Sequence, residues 1–122
     1  MSAPRQPALA AAAAFRLLAH LDTYENDLRV FAEEWPCSES QAMLARQLDT
    51  MRSEATVLPK LIVSWLELLL SHERLIRSFT MAASTCERLD ELEKHIGLVL
   101  HLQRECLDLL TGQPHLAICP RA

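Results

Sequence analysis

The chain has 122 residues, half of them apolar and only two of them glycine, and it carries a formal net charge of −4. This length fits one domain with a hydrophobic core, so we predict a single helical-bundle domain over residues 1–122. The Lys and Arg residues form no basic cluster, which argues against direct binding of DNA or RNA. Ala and Leu dominate, and β-branched residues never alternate over a strand length. The composition therefore predicts an all-α fold.

The first predicted helix covers about residues 7–35. Pro7 suits the first turn of a helix, and Pro36 ends it. Between them, apolar residues recur at alternating spacings of four and three, which is the heptad pattern of a packed or coiled-coil helix. These residues are Ala10, Ala14, Leu17, Leu21, Tyr24, Leu28, Phe31 and Trp35.

The middle of the chain predicts a second helix over about residues 39–80, which is kinked at Pro59. Its heptad is continuous, and no Gly, Asn or Asp lies between Met51 and Leu58 to support a chain reversal. The alternative is a break at residues 54–58, which gives a four-helix up-and-down bundle. The predicted core positions are Leu44, Leu48, Met51, Ala55, Leu58, Ile62, Trp65, Leu69, His72, Ile76 and Phe79.

The third predicted helix covers about residues 85–111, and residues 113–122 form a C-terminal tail. Ser84 and Glu87 have the spacing of a capping box, as do Ser38 and Gln41 at the start of the second helix. Gly112 suits the position just after a helix end. The predicted core positions are Leu89, Leu92, Ile96, Val99, Gln103, Cys106 and Leu110.

Three long helices packed antiparallel leave part of the middle helix without a neighbour in the same chain. Leu68, Leu70 and Leu75 face away from the predicted heptad seam, so they are the candidate interface residues. An apolar helix face of this kind is commonly covered by self-association, and we therefore predict a homodimer.

Two polar residues, His72 and Gln103, each interrupt an otherwise apolar seam, so we predict them to be buried. An antiparallel turn near residue 82 places His72 opposite Glu93, which is the third candidate buried polar residue. If Glu93 is its partner, the pKa of His72 stays near its ordinary value or rises; if burial dominates, the pKa falls and acid weakens the bundle.

The sequence lacks the motifs of common catalytic and metal centres. The histidines lack the Glu-x-x-His spacing of di-iron bundles, and no phosphate-binding loop or nucleophile motif occurs. His115 and Cys119 offer too few ligands for a structural zinc site. The four cysteines have no CxxC spacing and are interpreted as free thiols. We therefore predict no catalytic residue, no cofactor and no metal site.

The central apolar stretch carries Lys60 and Glu67, whose charges argue against a transmembrane segment or a membrane partner. The Ala-rich start is short and is interrupted by Arg16, so we predict a mature cytoplasmic protein, and the excess of Arg over Lys favours a bacterial source. The predicted function is non-enzymatic and acts through protein–protein interaction, by self-association or with a regulatory or chaperone-type partner. The alternative is a small-molecule sensor with an apolar pocket near Trp65 and His72.

Overall fold

A computed structural model of the chain describes residues 5–81 and 84–112. Four α-helices account for most of these residues, and a short 3-10 turn, Pro59–Leu61, joins the second helix to the third. The helices are α1 (Arg5–Glu34), α2 (Ser38–Ala55), α3 (Ile62–Thr80) and α4 (Thr85–Thr111). No strand occurs in the described part of the chain, so the predicted all-helical bundle is confirmed.

The three-helix interpretation needs correction, because the segment 39–80 forms two helices rather than one bent helix. Pro59 restricts the residue before it, and Leu58 accordingly leaves the helical region at φ −121° and ψ 84°. The reversal uses no Gly, Asn or Asp. The chain instead uses a 3-10 turn that starts at Pro59, where a missing N–H costs nothing, and buries Leu58 and Leu61 beneath it.

Contacts along α1 show that α2 runs in the opposite direction to it. The Nε atom of Arg16 lies 3.2 Å from a carboxylate oxygen of Glu54. Further along α1, Asp27 accepts a hydrogen bond from Gln47. Residue numbers in α2 thus fall as those in α1 rise.

Contacts between α1 and α3 show that these two helices run in the same direction. The hydroxyl of Tyr24 lies 2.9 Å from Nδ1 of His72, and the rings of Phe31 and Phe79 lie 4.9 Å apart between centroids. Residue numbers therefore rise together in α1 and α3. The chain reverses between α2 and α3, which a single bent helix would not do.

The buried stripe of α3 is displaced from the predicted heptad by about 50° around the helix axis, so that every second position moves by one residue. Trp65, His72 and Phe79 belong to both stripes. The remaining buried residues of α3 are Leu68, Ser71 and Leu75, and Leu61 is buried in the 3-10 turn before it, whereas the predicted positions Ile62, Leu69 and Ile76 are only half-buried. Since Leu68 and Leu75 are as apolar as Leu69 and Ile76, the pattern of α3 alone does not choose between the two stripes.

The same rotation occurs in α4, and there it changes the chemistry of the core. Its buried residues are His95, Val99, Leu102 and Cys106. The predicted seam contained Ile96 and Gln103, which are half-buried instead. The rotation brings a histidine into the core and turns a glutamine toward the surface.

The ends of α4 match the sequence signals. Ser84 and Glu87 form the predicted capping box, with two reciprocal bonds of 3.1 Å, and Gly112 caps the C-terminus at φ 74°. The capping box predicted for α2 is wrong, because Cys37 occupies the cap position and no side-chain bond forms there. The predicted tail 113–122, with His115 and Cys119, lies outside the described residues.

Candidate functional site

The most distinctive feature of the core is a chain of hydrogen-bonded polar side chains that joins three helices. The Tyr24 hydroxyl lies 2.9 Å from His72 Nδ1 and 2.6 Å from His95 Nε2. The other ring nitrogen of His95, Nδ1, lies 2.8 Å from the hydroxyl of Ser71. We call Ser71, His95, Tyr24 and His72 the core polar network.

Helix geometry explains how these four side chains meet. Tyr24 occupies a heptad position of α1 and points to the bundle axis. Ser71 and His72 are neighbours on α3, so their side chains diverge by about 100° around the helix. His72 therefore faces α1, while Ser71 faces α4 and holds the far side of the His95 ring.

Burial sets the protonation of the network. Tyr24 and His95 are fully buried, and His72 keeps 7% of its surface exposed. Burial, together with positive charge from His72 and Arg74, lowers the pKa of His95 to about 3. Burial also lowers the pKa of His72, and the nearby Glu73 carboxylate partly offsets this. Burial raises the pKa of Tyr24. All four side chains are therefore uncharged at neutral pH.

The structure places the predicted buried polar residues differently. His72 is buried, but its hydrogen-bond partner is Tyr24 rather than Glu93. Glu93 is exposed on the outer side of α4, and Gln103 is half-buried. The predicted pairing of His72 with Glu93 is wrong because the orientation of α4 presents His95 to the seam and turns Glu93 to solvent.

The predicted interface residues are also separated. Leu68 and Leu75 are fully buried, because α4 packs against the side of α3 that carries them, so neither is available to another chain. Leu70 is 61% exposed, Val63 is 69% exposed and Leu66 is 51% exposed. We call Val63, Leu66 and Leu70 the outer strip of α3.

Sequence reasoning did not identify three members of the network. The sequence pattern predicts Tyr24 as an apolar heptad residue, and neither Ser71 nor His95 is among the predicted core positions. A usable signal did exist. The spacing His95, Val99, Leu102 and Cys106 is as good a heptad as the one chosen, and it would have placed His95 in the core.

Two surface cavities lie away from Trp65 and His72. One, of about 460 Å³, lies at one end of the bundle, with Ala11, Leu61 and Leu109 in its lining. The other, of about 260 Å³, lies between α1 and α4 beside Phe15 and Gln103. Trp65 itself is packed in the core with 2% of its surface exposed.

Within the described ranges, no group of three or more His, Cys, Asp or Glu side chains is placed to hold a metal ion. Cys37, Cys86 and Cys106 are free thiols. Burial and the nearby Glu105 raise the pKa of Cys106 to about 12, so this thiol is a poor nucleophile. None of the helices in the described part is both long and apolar enough to span a bilayer.

Comparisons with protein-family models, with curated proteins and with solved structures found no match to this chain.

Proposed function

We propose that this protein acts through self-association, with the outer strip of α3 as its interface. The observation that carries the proposal is the exposure of Val63, Leu66 and Leu70, which follow one another at spacings of three and four. That spacing aligns them along one side of the helix. An aligned apolar strip is the surface that a second helix packs against, whereas single exposed apolar residues are ordinary.

The charges beside the strip favour a second copy of this chain as the partner. Glu67 is exposed on α3, and Lys60 is exposed seven residues earlier in the 3-10 turn that leads into this helix, so we place both charges on the same flank of the strip. When two copies of α3 pack antiparallel about a two-fold axis, the flank of one copy lies beside the same flank of the second copy. Centring that pair near Ser64 sets Val63 against the second copy's Leu66 and Lys60 beside the second copy's Glu67.

The strength of the dimer follows from the size of the strip. Three side chains and their flanks bury less than the roughly 800 Å² per partner of a typical stable complex, so we expect a weak, concentration-dependent dimer. Each exposed Lys–Glu pair contributes only about 0.2–1 kcal/mol. The charges therefore set the orientation of the copies, and the apolar strip supplies most of the affinity.

The proposed molecule is thus a non-enzymatic four-helix up-and-down bundle that works in the bacterial cytoplasm. The reversal between α2 and α3 and the directions of the contacts support the up-and-down order. The sensor alternative, a ligand pocket near Trp65 and His72, has less support because Trp65 is packed in the core.

Sedimentation equilibrium from low to high micromolar concentration tests the interface. We expect wild type to shift from monomer to dimer and Leu66→Glu to stay monomeric. Leu107→Glu is the matched control, because Leu107 on α4 has a similar exposure of 46% and should leave the dimer intact.

The orientation has its own test. Lys60→Glu should weaken the dimer, and adding Glu67→Lys should restore it, because the pair of charges is then exchanged. A wild-type protein that stays monomeric throughout, or equal effects of Leu66→Glu and Leu107→Glu, would contradict the interface.

A further inference from the structure

The proton positions in the core polar network have two self-consistent arrangements when both histidines are neutral. In the first, His72 Nδ1–H donates to the Tyr24 oxygen, Tyr24 donates to His95 Nε2, and His95 Nδ1–H donates to Ser71. In the second, every donor and acceptor is exchanged, so Ser71 donates to His95 and Tyr24 donates to His72. Both arrangements satisfy every contact, because each neutral ring has one donor and one acceptor.

A single added proton also fits this geometry. If His72 is charged, its Nδ1–H still donates to Tyr24, which is the first arrangement. If His95 is charged instead, it donates from Nε2 to Tyr24 and from Nδ1 to Ser71, while Tyr24 donates to His72. In both cases the hydrogen bonds remain complete, and the cost is only that of burying one charge.

A second proton does not fit. With both rings charged, His72 Nδ1 and His95 Nε2 both carry hydrogens that point at the Tyr24 oxygen. The Tyr24 hydroxyl hydrogen then has neither histidine as an acceptor. The two positive rings would also lie 5.9 Å apart between centroids, in a buried site where their repulsion is weakly screened.

We propose that the core polar network is an acid-sensitive latch that holds at most one proton while the bundle is folded and opens when both histidines become charged. Tyr24 joins α1 to α3 and α4 at this point, so opening means separation of α1 from the α3–α4 pair. This regulation concerns the bundle core and is independent of the proposed dimer interface.

The charged groups around the network have opposite effects on the protonation of its two histidines. From α3, Glu73 favours the charged form of His72, while Arg74 disfavours the charged form of His95. From α4 the facing titratable group is His95 itself, and from α1 it is Tyr24, which burial keeps protonated. His72, with its residual exposure and its acidic neighbour, is therefore the site of the first proton.

The sign of the pH effect follows from the lowered histidine pKa values. Above the unfolded pKa of about 6.5, both histidines are neutral in the folded and unfolded chains, and their contribution to stability does not vary. Below it, the unfolded chain binds two protons and the folded network binds at most one. Stability therefore falls as the pH falls. The equilibrium constant for unfolding rises about tenfold per pH unit for each proton that the unfolded chain binds and the folded chain does not.

Urea unfolding at pH 7.5, 6.0 and 5.0 measures this dependence. In His95→Gln, which keeps a polar partner without a titrating ring, the rise in the unfolding constant from pH 6.0 to 5.0 should be up to tenfold smaller than in wild type. His20→Gln is the control, because His20 lies on α1 outside the network, and it should keep the wild-type dependence. Equal pH dependence in all three proteins would overturn the latch.

NMR titration of the histidine rings in wild-type protein gives a test that does not depend on a variant folding. As pH falls toward 5, His95 should remain neutral in the folded signals, and at most one of the two network histidines should become charged. Folded protein with both rings charged would refute the proposal.

Discussion

Two core layers of the same helices, one heptad apart, have opposite chemistry. One layer is polar and contains Tyr24, His72 and His95. Seven residues further along α1 and α3, and seven residues earlier in α4, a second layer contains Phe31, Phe79 and Arg88, and we call it the aromatic layer. Because the two layers occupy equivalent heptad positions, the comparison shows that backbone geometry accepts either chemistry. The polar layer needs every hydrogen bond in place, whereas the rings of the aromatic layer need only shape complementarity.

The aromatic layer also includes Trp35, whose ring lies 5.4 Å from Phe31 and 5.4 Å from Phe79 between centroids. The packing of the three rings in the aromatic layer does not depend on protonation near neutral pH. We therefore expect the polar layer to determine how stability responds to pH in mildly acidic solution, and the aromatic layer to contribute a constant amount.

The largest expected effect is that of Phe31→Ala. Phe31 is fully buried and contacts both other rings of its layer, so its removal should lower the free energy of unfolding by about 3–5 kcal/mol. Thermal and urea unfolding at pH 7.5 measure the loss, with Val30→Ala on the exposed side of α1 as control. A loss below 1 kcal/mol would mean that the three rings do not form a packed layer.

An intermediate effect is expected for Tyr24→Phe, which keeps the ring and removes the hydroxyl. His72 and His95 each lose a hydrogen-bond partner, and leaving buried polar atoms unsatisfied costs about 1–3 kcal/mol. The measurement is urea unfolding at pH 7.5, where both histidines are neutral. If Tyr24→Phe were as stable as wild type, the network would not be stabilising, and the contrast between the layers would disappear.

The smallest effect is expected for Arg88→Gln at the edge of the aromatic layer. The Arg88 guanidinium carbon lies 5.4 Å from the centre of the Phe79 ring, a cation–π contact that contributes about 0.5–1 kcal/mol at partly exposed sites. Arg104→Gln, on the exposed side of α4, removes the same charge without this contact. Equal stabilities of the two variants would show that the cation–π contact contributes nothing measurable.

Much of the fold was predictable because it depends on local signals. The heptad of α1 identified Leu17, Leu21, Tyr24, Leu28 and Phe31 as core residues, and all are fully buried. In α1 the apolar stripe is narrow and charged residues occupy the other faces, so only one orientation buries it. The capping box that begins α4 and the glycine that ends it were equally local signals, and both were correct.

The candidate site was less predictable, because α3 and α4 are apolar on more than one side. For α3, both Leu68 and Leu69 are acceptable core residues, so its sequence alone leaves two orientations open. The same holds for His95 and Ile96 in α4, where the choice decides whether the core contains a second histidine. Hydrophobic burial is nondirectional, so it does not distinguish orientations that bury similar apolar area.

The sequence by itself determined the helical class, the extent of α1 and α4, and the presence of a lone histidine in the α3 seam. The tertiary structure decided that the chain reverses at Pro59 and that the buried stripes of α3 and α4 are both displaced by about 50° from the predicted seam. That rotation places Tyr24 and His95 within hydrogen-bond reach of each other. The physical reason is that a buried hydrogen bond depends on distances of a few tenths of an ångström between helices, which only their mutual packing sets.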